Sequence, residues 1–240
     1  MPASNLIADL SNDQKTAFRR SPIAFGHGLS ETRLFDDDAL ARLIDACPPA
    51  LRDIRRIDGG VERRTLSGQQ VLEGVRQGRL EVRLRQVEAV LPVFATLLRK
   101  ISGEIRGQAS GMGRGLQSGR LVISPAKGWI APNVEGPPAV LFHLRGRERV
   151  WVYPALAAPR DVKGRMYDLK AGAALALPSR TPYRVEALDE INVSLSVAPR
   201  SWISRLIDTA GLAGMRAPRL LDRKARKRQA DYGPIMTSGS

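Results

Sequence analysis

The chain has 240 residues, 43% of them apolar, with a single cysteine and a formal net charge of +14. That is apolar material enough for one ordinary core and argues against large-scale disorder, an intrachain disulfide or a thiolate metal cluster. No run reaches 18 apolar residues, so no spanning helix is expected, while the charge surplus leaves contact with nucleic acid or anionic lipid open.

The first 24 residues read as a variable arm. "MPASNLIADLSNDQKTAF" carries no basic leader followed by an apolar run, so no secretion signal is expected and the cytoplasm is the default compartment. Residues 25–118 read as a helical and mixed part. In "LFDDDALARLIDACP", Asp36 or Asp37 caps a helix with Leu40, Leu43 and Ile44 on its apolar side, and Pro48 and Pro49 stop it. Cys47 at its end reads as a half-buried structural thiol. "TLSGQQVLEGVRQG" is a second helix, started by Thr65 or Ser67, with Val71, Leu72 and Val75 inward and Gly78 at its end. "RLEVRLRQV" alternates, which predicts a half-exposed strand with Leu80, Val82 and Leu84 on one face. "LPVFATLLRKISGEI" follows as a helix with Pro92 in its first turn. "GMGRG", Gly111 to Gly115, lacks the Lys-Ser/Thr end of a phosphate loop and reads as a plain loop.

Residues 119–200 change character. "RLVISP", "AVLFHLRG", "RERVWVYP", "DLKAGAALALP" and "INVSLSVAP" are short β-prone runs separated by Gly and Pro, the pattern of a sandwich or small barrel. Gly146 sits at a tight turn between two strands. Residues 201–215 read as a helix with Trp202, Leu206 and Ile207 as a docking stripe, for the barrel or for a second copy in a homodimer. Residues 216–240 form a basic tail whose densest run is Arg223 to Arg228. A solvated tail is the commoner meaning of such a run, and no zinc-finger spacing accompanies it.

The two stretches "VISPAKGWIAPNVEGPPAVLFHLRGRERVWVYP" and "ALPSRTPYRVEALDEINVSLSV" resemble the JmjC-like, cupin-like branch of the cupin superfamily. The front segments "FGHGLSETRLFDDDALARLIDACP" and "SGQQVLEGVRQGRLEVRLR" extend the likeness to residues 25–205. The resemblance implies a mainly β fold with flanking helices, a double-stranded β-helix or jelly roll. Active members are Fe(II)- and 2-oxoglutarate-dependent hydroxylases or demethylases. Carried over residue by residue, the family's His-x-Asp ligands fall on Asn133 and Glu135, its later histidine on Tyr183, and its 2-oxoglutarate lysine on Glu148. Its Asn and Gln fall on Ala139 and His143.

Such a centre takes two imidazoles and a carboxylate on one face of the metal. Asn133 is a weak neutral oxygen donor, Glu135 can replace an aspartate, and Tyr183 would have to ionise from a reference pKa near about 10. Glu148 would repel a carboxylate that needs a cation; Arg147 and Arg149 alternate to the opposite face, and Arg145 or Arg184 is left to compensate. The chain has two histidines. His143, flanked on its face by Leu141 and Arg145, reads as a hydrogen-bonded core residue, with a rescue ligand or ligand anchor as the sharper alternative. His27, in "FGHGLS", reads as structural or exposed. Trp129 joins Asn133, Glu135, His143, Glu148 and Tyr183 as a pocket candidate. The expectation is a barrel that has lost iron catalysis, needs no cofactor, and binds a small molecule or a protein segment in a regulatory or accessory role. An atypical hydroxylase, with Glu135, His143 and Tyr183 around a metal and 2-oxoglutarate as co-substrate, is the first alternative. A nucleic-acid-associated regulator is the second.

Overall fold

The computed structural model of the chain describes residues 5–18, 20–62, 65–108, 117–126, 129–130, 138–154 and 164–199, with 117, 129 and 130 described by backbone alone. The helices are α1 (Asn12–Ala17), α2 (Asp37–Ala46), α3 (Gly68–Arg76), α4 (Val87–Val90) and α5 (Pro92–Gln108). The strands are β1 (Ile23–Gly26), β2 (Arg52–Arg56), β3 (Leu80–Arg85), β4 (Gln117–Ser124), β5 (Trp129–Ile130), β6 (Ala139–Arg145), β7 (Arg147–Val152), β8 (Arg165–Lys170), β9 (Ala173–Leu177), β10 (Tyr183–Ala187) and β11 (Asn192–Pro199). They form a seven-stranded sheet, β1-β9-β6-β11-β4-β3-β2, and a four-stranded sheet, β5-β10-β7-β8. From β4 onward the chain winds between the two sheets. This is the expected double-stranded β-helix, mainly β with flanking helices.

The helices begin where their side chains satisfy orphan backbone donors. Asp36 accepts from the Ala39 N–H to start α2, and Ser67 and Gln70 form a reciprocal capping box at α3. The two helices pack so closely that a Cβ on Gly68 would lie 2.2 Å from the Ala41 carbonyl oxygen, so only glycine fits there. Leu40, Leu43, Ile44, Val71, Leu72 and Val75 are buried as their spacing predicts. Cys47 is buried, and that burial pushes its thiol pKa up against the lowering pull of Arg52 and Arg85.

Two apolar clusters result. One lies between the helices and the large sheet and includes Phe94, Ile101, Leu121, Ile123, Phe142 and Leu195. The other lies inside the barrel: Leu141, Val150, Val152, Leu169, Leu175, Leu177 and Val185. Strand alternation assigns each residue to a side. In β6, Val140, Phe142 and Leu144 join the helix-side cluster and Leu141 the barrel.

Three expectations change. The front part does not only pack on the barrel; β1, β2 and β3 extend its large sheet, because β3 pairs with β4 and β1 with β9. β3 is also less exposed than its alternation suggests, since Glu81 is buried and held 2.6 Å from Arg83 Nε. The arm before residue 25 is docked over its described part. Ile7, Leu10 and Phe18 are buried, and the Ile7 and Leu10 N–H groups donate to Glu104 and Gln108 of α5. The loop at 111–115, the helix at 201–215 and the tail at 216–240 lie outside the described residues. Among the described residues no helix is long and apolar enough to cross a membrane.

Candidate functional site

The polar centre of the barrel is built around one turn. β6 ends at Arg145 and β7 begins at Arg147, but the two strands do not pair: β6 runs in the large sheet and β7 in the small one. The chain crosses from sheet to sheet on the single residue Gly146, at φ +80°. Its Cβ, were there one, would sit 2.5 Å from Asn192 Oδ1 and 2.6 Å from the Ile191 carbonyl oxygen. Asn192, fully buried at the start of β11, braces the crossing. Its Oδ1 accepts from the Arg147 N–H at 3.0 Å and its Nδ2 donates to the Asp189 carbonyl.

This crossing turns His143 and Glu148, five residues apart, toward each other across the barrel. Glu148 Oε2 lies 3.3 Å from His143 Nδ1, and Ser194 Oγ of β11 donates to Glu148 Oε1 at 2.6 Å. The side chains of His143 and Glu148 are 0% and 4% exposed. The imidazole contact is close enough for an ion pair yet is not aligned as a hydrogen bond, and neither ring nitrogen has an aligned partner among the described residues. The serine hydroxyl is thus the well-made, charge-assisted contact of the two. Ser194 was missed in the sequence. Its signal is the alternation of "NVSLSV", where Asn192, Ser194 and Ser196 interleave with Val193, Leu195 and Val197. Polar residues repeating along a buried strand mark its inward, hydrogen-bonded face.

His27 has a different task. The Leu29 N–H donates to its Nδ1 at 3.0 Å, so that nitrogen is bare and the proton sits on Nε2. Nε2–H then lies 3.1 Å from two carbonyl oxygens, those of His143 and Ala173. The ring ties the segment after β1 to β6 and β9. Burial drives its pKa down from 6.5 to about 4, only partly opposed by the hydrogen bonds to the two carbonyls. It is structural, as expected, and buried rather than exposed.

Tyr183 opens β10 opposite Val152 and packs on the barrel cluster, whereas Glu148 lies opposite Ala187. Four residues along β7 separate the two levels, about 13 Å. The structure therefore brings His143 to Glu148 and not to Tyr183. Asn133 and Glu135 lie outside the described residues, and of Trp129 only the backbone is described, pairing with Glu186. Neither arginine left to compensate for Glu148 does so. Arg145 Nη1 is bound to Asp37 of α2 at 2.6 Å, and Arg184 stacks 4.9 Å over the Trp151 ring on the outward side of the small sheet. Arg147 pairs with the partly exposed Asp168, as the alternation requires.

The described residues do not fit an iron and 2-oxoglutarate centre of the two-imidazole kind. The chain has two histidines, one of them committed through both ring nitrogens to backbone groups. Among the described residues no three His, Cys, Asp or Glu side chains gather as a metal cage. A cleft of about 1020 Å³ lies away from the barrel, lined by Arg56, Ile57, Leu66, Gln70, Glu73 and Arg79 among others. It is a surface feature and touches none of the polar centre. The charge is also unevenly placed. The described residues hold 22 of the 38 Lys and Arg and 19 of the 24 Asp and Glu, a surplus of three out of fourteen. Most of the basic excess lies outside them.

Comparison with solved structures bears on the fold, a jelly-roll double-stranded β-helix that this chain shares with known proteins. Escherichia coli YcfD matches over 98% of this chain and 62% of its own, at 14% identity and a TM-score of 0.59. YcfD described as a ribosomal oxygenase in complex with cobalt and 2-oxoglutarate matches over 97% and 61%, at 15% identity and a TM-score of 0.56. The chain spans about three fifths of the length of these proteins. No family model matches the sequence, and no curated relative matches it.

Proposed function

We propose that this is a JmjC-like cupin protein that binds a small molecule or a protein segment in a regulatory or accessory role, without iron- and 2-oxoglutarate-dependent oxidation. One observation carries the reading. The barrel offers one imidazole, His143, and sets it against the buried carboxylate of Glu148. A dicarboxylate co-substrate needs a cation or several free donors at its far end. By the resemblance Glu148 takes that position, an acceptor whose nearest hydroxyl, Ser194, is already engaged. YcfD, which binds cobalt and 2-oxoglutarate, shares the fold at 15% identity, and a fold hosts many functions.

The test is metal analysis of the full chain produced with Fe(II) present, followed by calorimetric titration of 2-oxoglutarate with Mn(II) in place of iron. The expected result is substoichiometric iron and no saturable heat. Stoichiometric iron together with saturable 2-oxoglutarate binding would overturn the reading in favour of an atypical hydroxylase.

A further inference from the structure

We infer that the inner end of the barrel is a carboxylate-binding site that the chain fills with its own Glu148. The site is made by the large sheet, and its occupant comes from the small one. Ser194 and His143 stand directly opposite each other in the β11–β6 ladder, so their side chains share the inward face. Both residues are buried, at 9% and 1% exposure. A hydroxyl at 2.6 Å and an imidazole nitrogen at 3.3 Å face the two oxygens of one carboxylate, one partner to each oxygen. That is how a protein receives a carboxylate ligand, and here the carboxylate is delivered by the chain across the Gly146 crossing.

The chemistry of the occupant follows from the geometry. Ser194 of the large sheet reaches Glu148 of the small one through side chains alone, so their bond is no part of either sheet's ladder. Leu141, Val150 and Leu169 belong to the apolar cluster of the same barrel, and an anion in such surroundings is held only by its specific partners. Removing the Glu148 side chain beyond Cβ deletes two carbons and two oxygens, the heavy atoms of an acetate ion. The vacated space would take a monocarboxylate of that size and exclude a longer one. The inference bears on the reading above, because a barrel closed in this way admits no dicarboxylate at its inner end, but the two stand or fall separately. One concerns 2-oxoglutarate and the native chain, the other acetate and a variant.

The experiment compares thermal melting of the native chain, Glu148→Ala and the double variant Glu148→Ala/Ser194→Ala. Each is measured in sodium acetate, sodium butyrate and sodium chloride at equal ionic strength and neutral pH. Glu148→Ala is expected to melt about 5 °C or more below the native chain in chloride. Acetate should restore at least half of that loss, saturably, and butyrate should not. The native chain should not distinguish the three salts, and the double variant should lose the acetate-specific gain. Equal behaviour of Glu148→Ala in acetate and chloride would overturn the inference, and so would an acetate gain of the same size in the native chain. If Glu148→Ala is recovered only in insoluble form, its refolding yield in acetate against chloride becomes the readout. A higher yield in acetate supports the built-in ligand, and equal yields sink it.

Discussion

The two faces of the seven-stranded sheet follow different rules. On the helix side, Leu121, Ile123, Phe142, Val193 and Leu195 form one continuous apolar cluster with residues of α5 and the other helices. On the barrel side, a smaller apolar set shares space with His143, Glu148 and Ser194. The first face is held by area, which any side chain of suitable volume supplies in proportion. The second depends on a few groups whose positions are fixed by one glycine crossing and one asparagine brace. A mutation on the helix side should therefore cost stability by degree, and one at the crossing should cost the arrangement itself.

Gly146→Val tests the sharper half of that contrast and should have the largest effect. It asks a β-branched residue to hold φ near +80° and to place a Cβ within 3 Å of both Asn192 Oδ1 and the Ile191 carbonyl. The expected loss is about 4 kcal/mol or more in urea unfolding, an amount reserved for broken architecture. Leu195→Ala, fully buried at the centre of the helix-side cluster, should cost about 3 kcal/mol and leave the unfolding transition cooperative. If the glycine variant costs no more than the leucine variant, the two faces do not differ in kind.

The same contrast explains what could be read in the sequence. Helix-side elements announce themselves through periodicity: Leu40, Leu43 and Ile44 in α2, Val71, Leu72 and Val75 in α3, and the alternation of Leu80, Val82 and Leu84 in β3. Capping residues set the starts, as Asp36 and Ser67 do. β1 and β2 were not legible. They are four and five residues long, and "RDIRR" has a single large apolar residue, so their strand character comes from the neighbours they pair with. The barrel side was legible only in part. The inward direction of Glu148 follows from its place in β7, and His143 as a core histidine follows from its apolar flanks. Their contact with each other does not follow, because five residues of sequence say nothing of a chain that changes sheets at Gly146. For Asn192 and Ser194 the alternation of "NVSLSV" sets both on one face, but the partners they meet there appear only once the second sheet is in place.

One residue links the two faces. His27 holds the His143 carbonyl from outside the barrel, while the side chain of His143 points inward. Because the Leu29 N–H donates to Nδ1, only the neutral ring satisfies the site, and a second proton there would break that bond. The folded chain therefore takes up this proton only near pH 4, whereas an unfolded chain takes it up near 6.5. Between those values the unfolded state binds more protons, so stability falls as pH falls. The contribution of His27 is complete above pH 6.5 and gone by about pH 4, a span on the order of 3 kcal/mol. The aspartates with lowered pKa values, Asp58 and Asp168, start from an ordinary carboxylate value of 3.8 and lose their contributions below this window. The stability difference between the native chain and His27→Leu should thus be largest at pH 7.5 and shrink steadily toward pH 4.5. A difference that stays constant across that range would mean that the ring acts by packing against Phe142, 5.3 Å away, and not through its bare nitrogen.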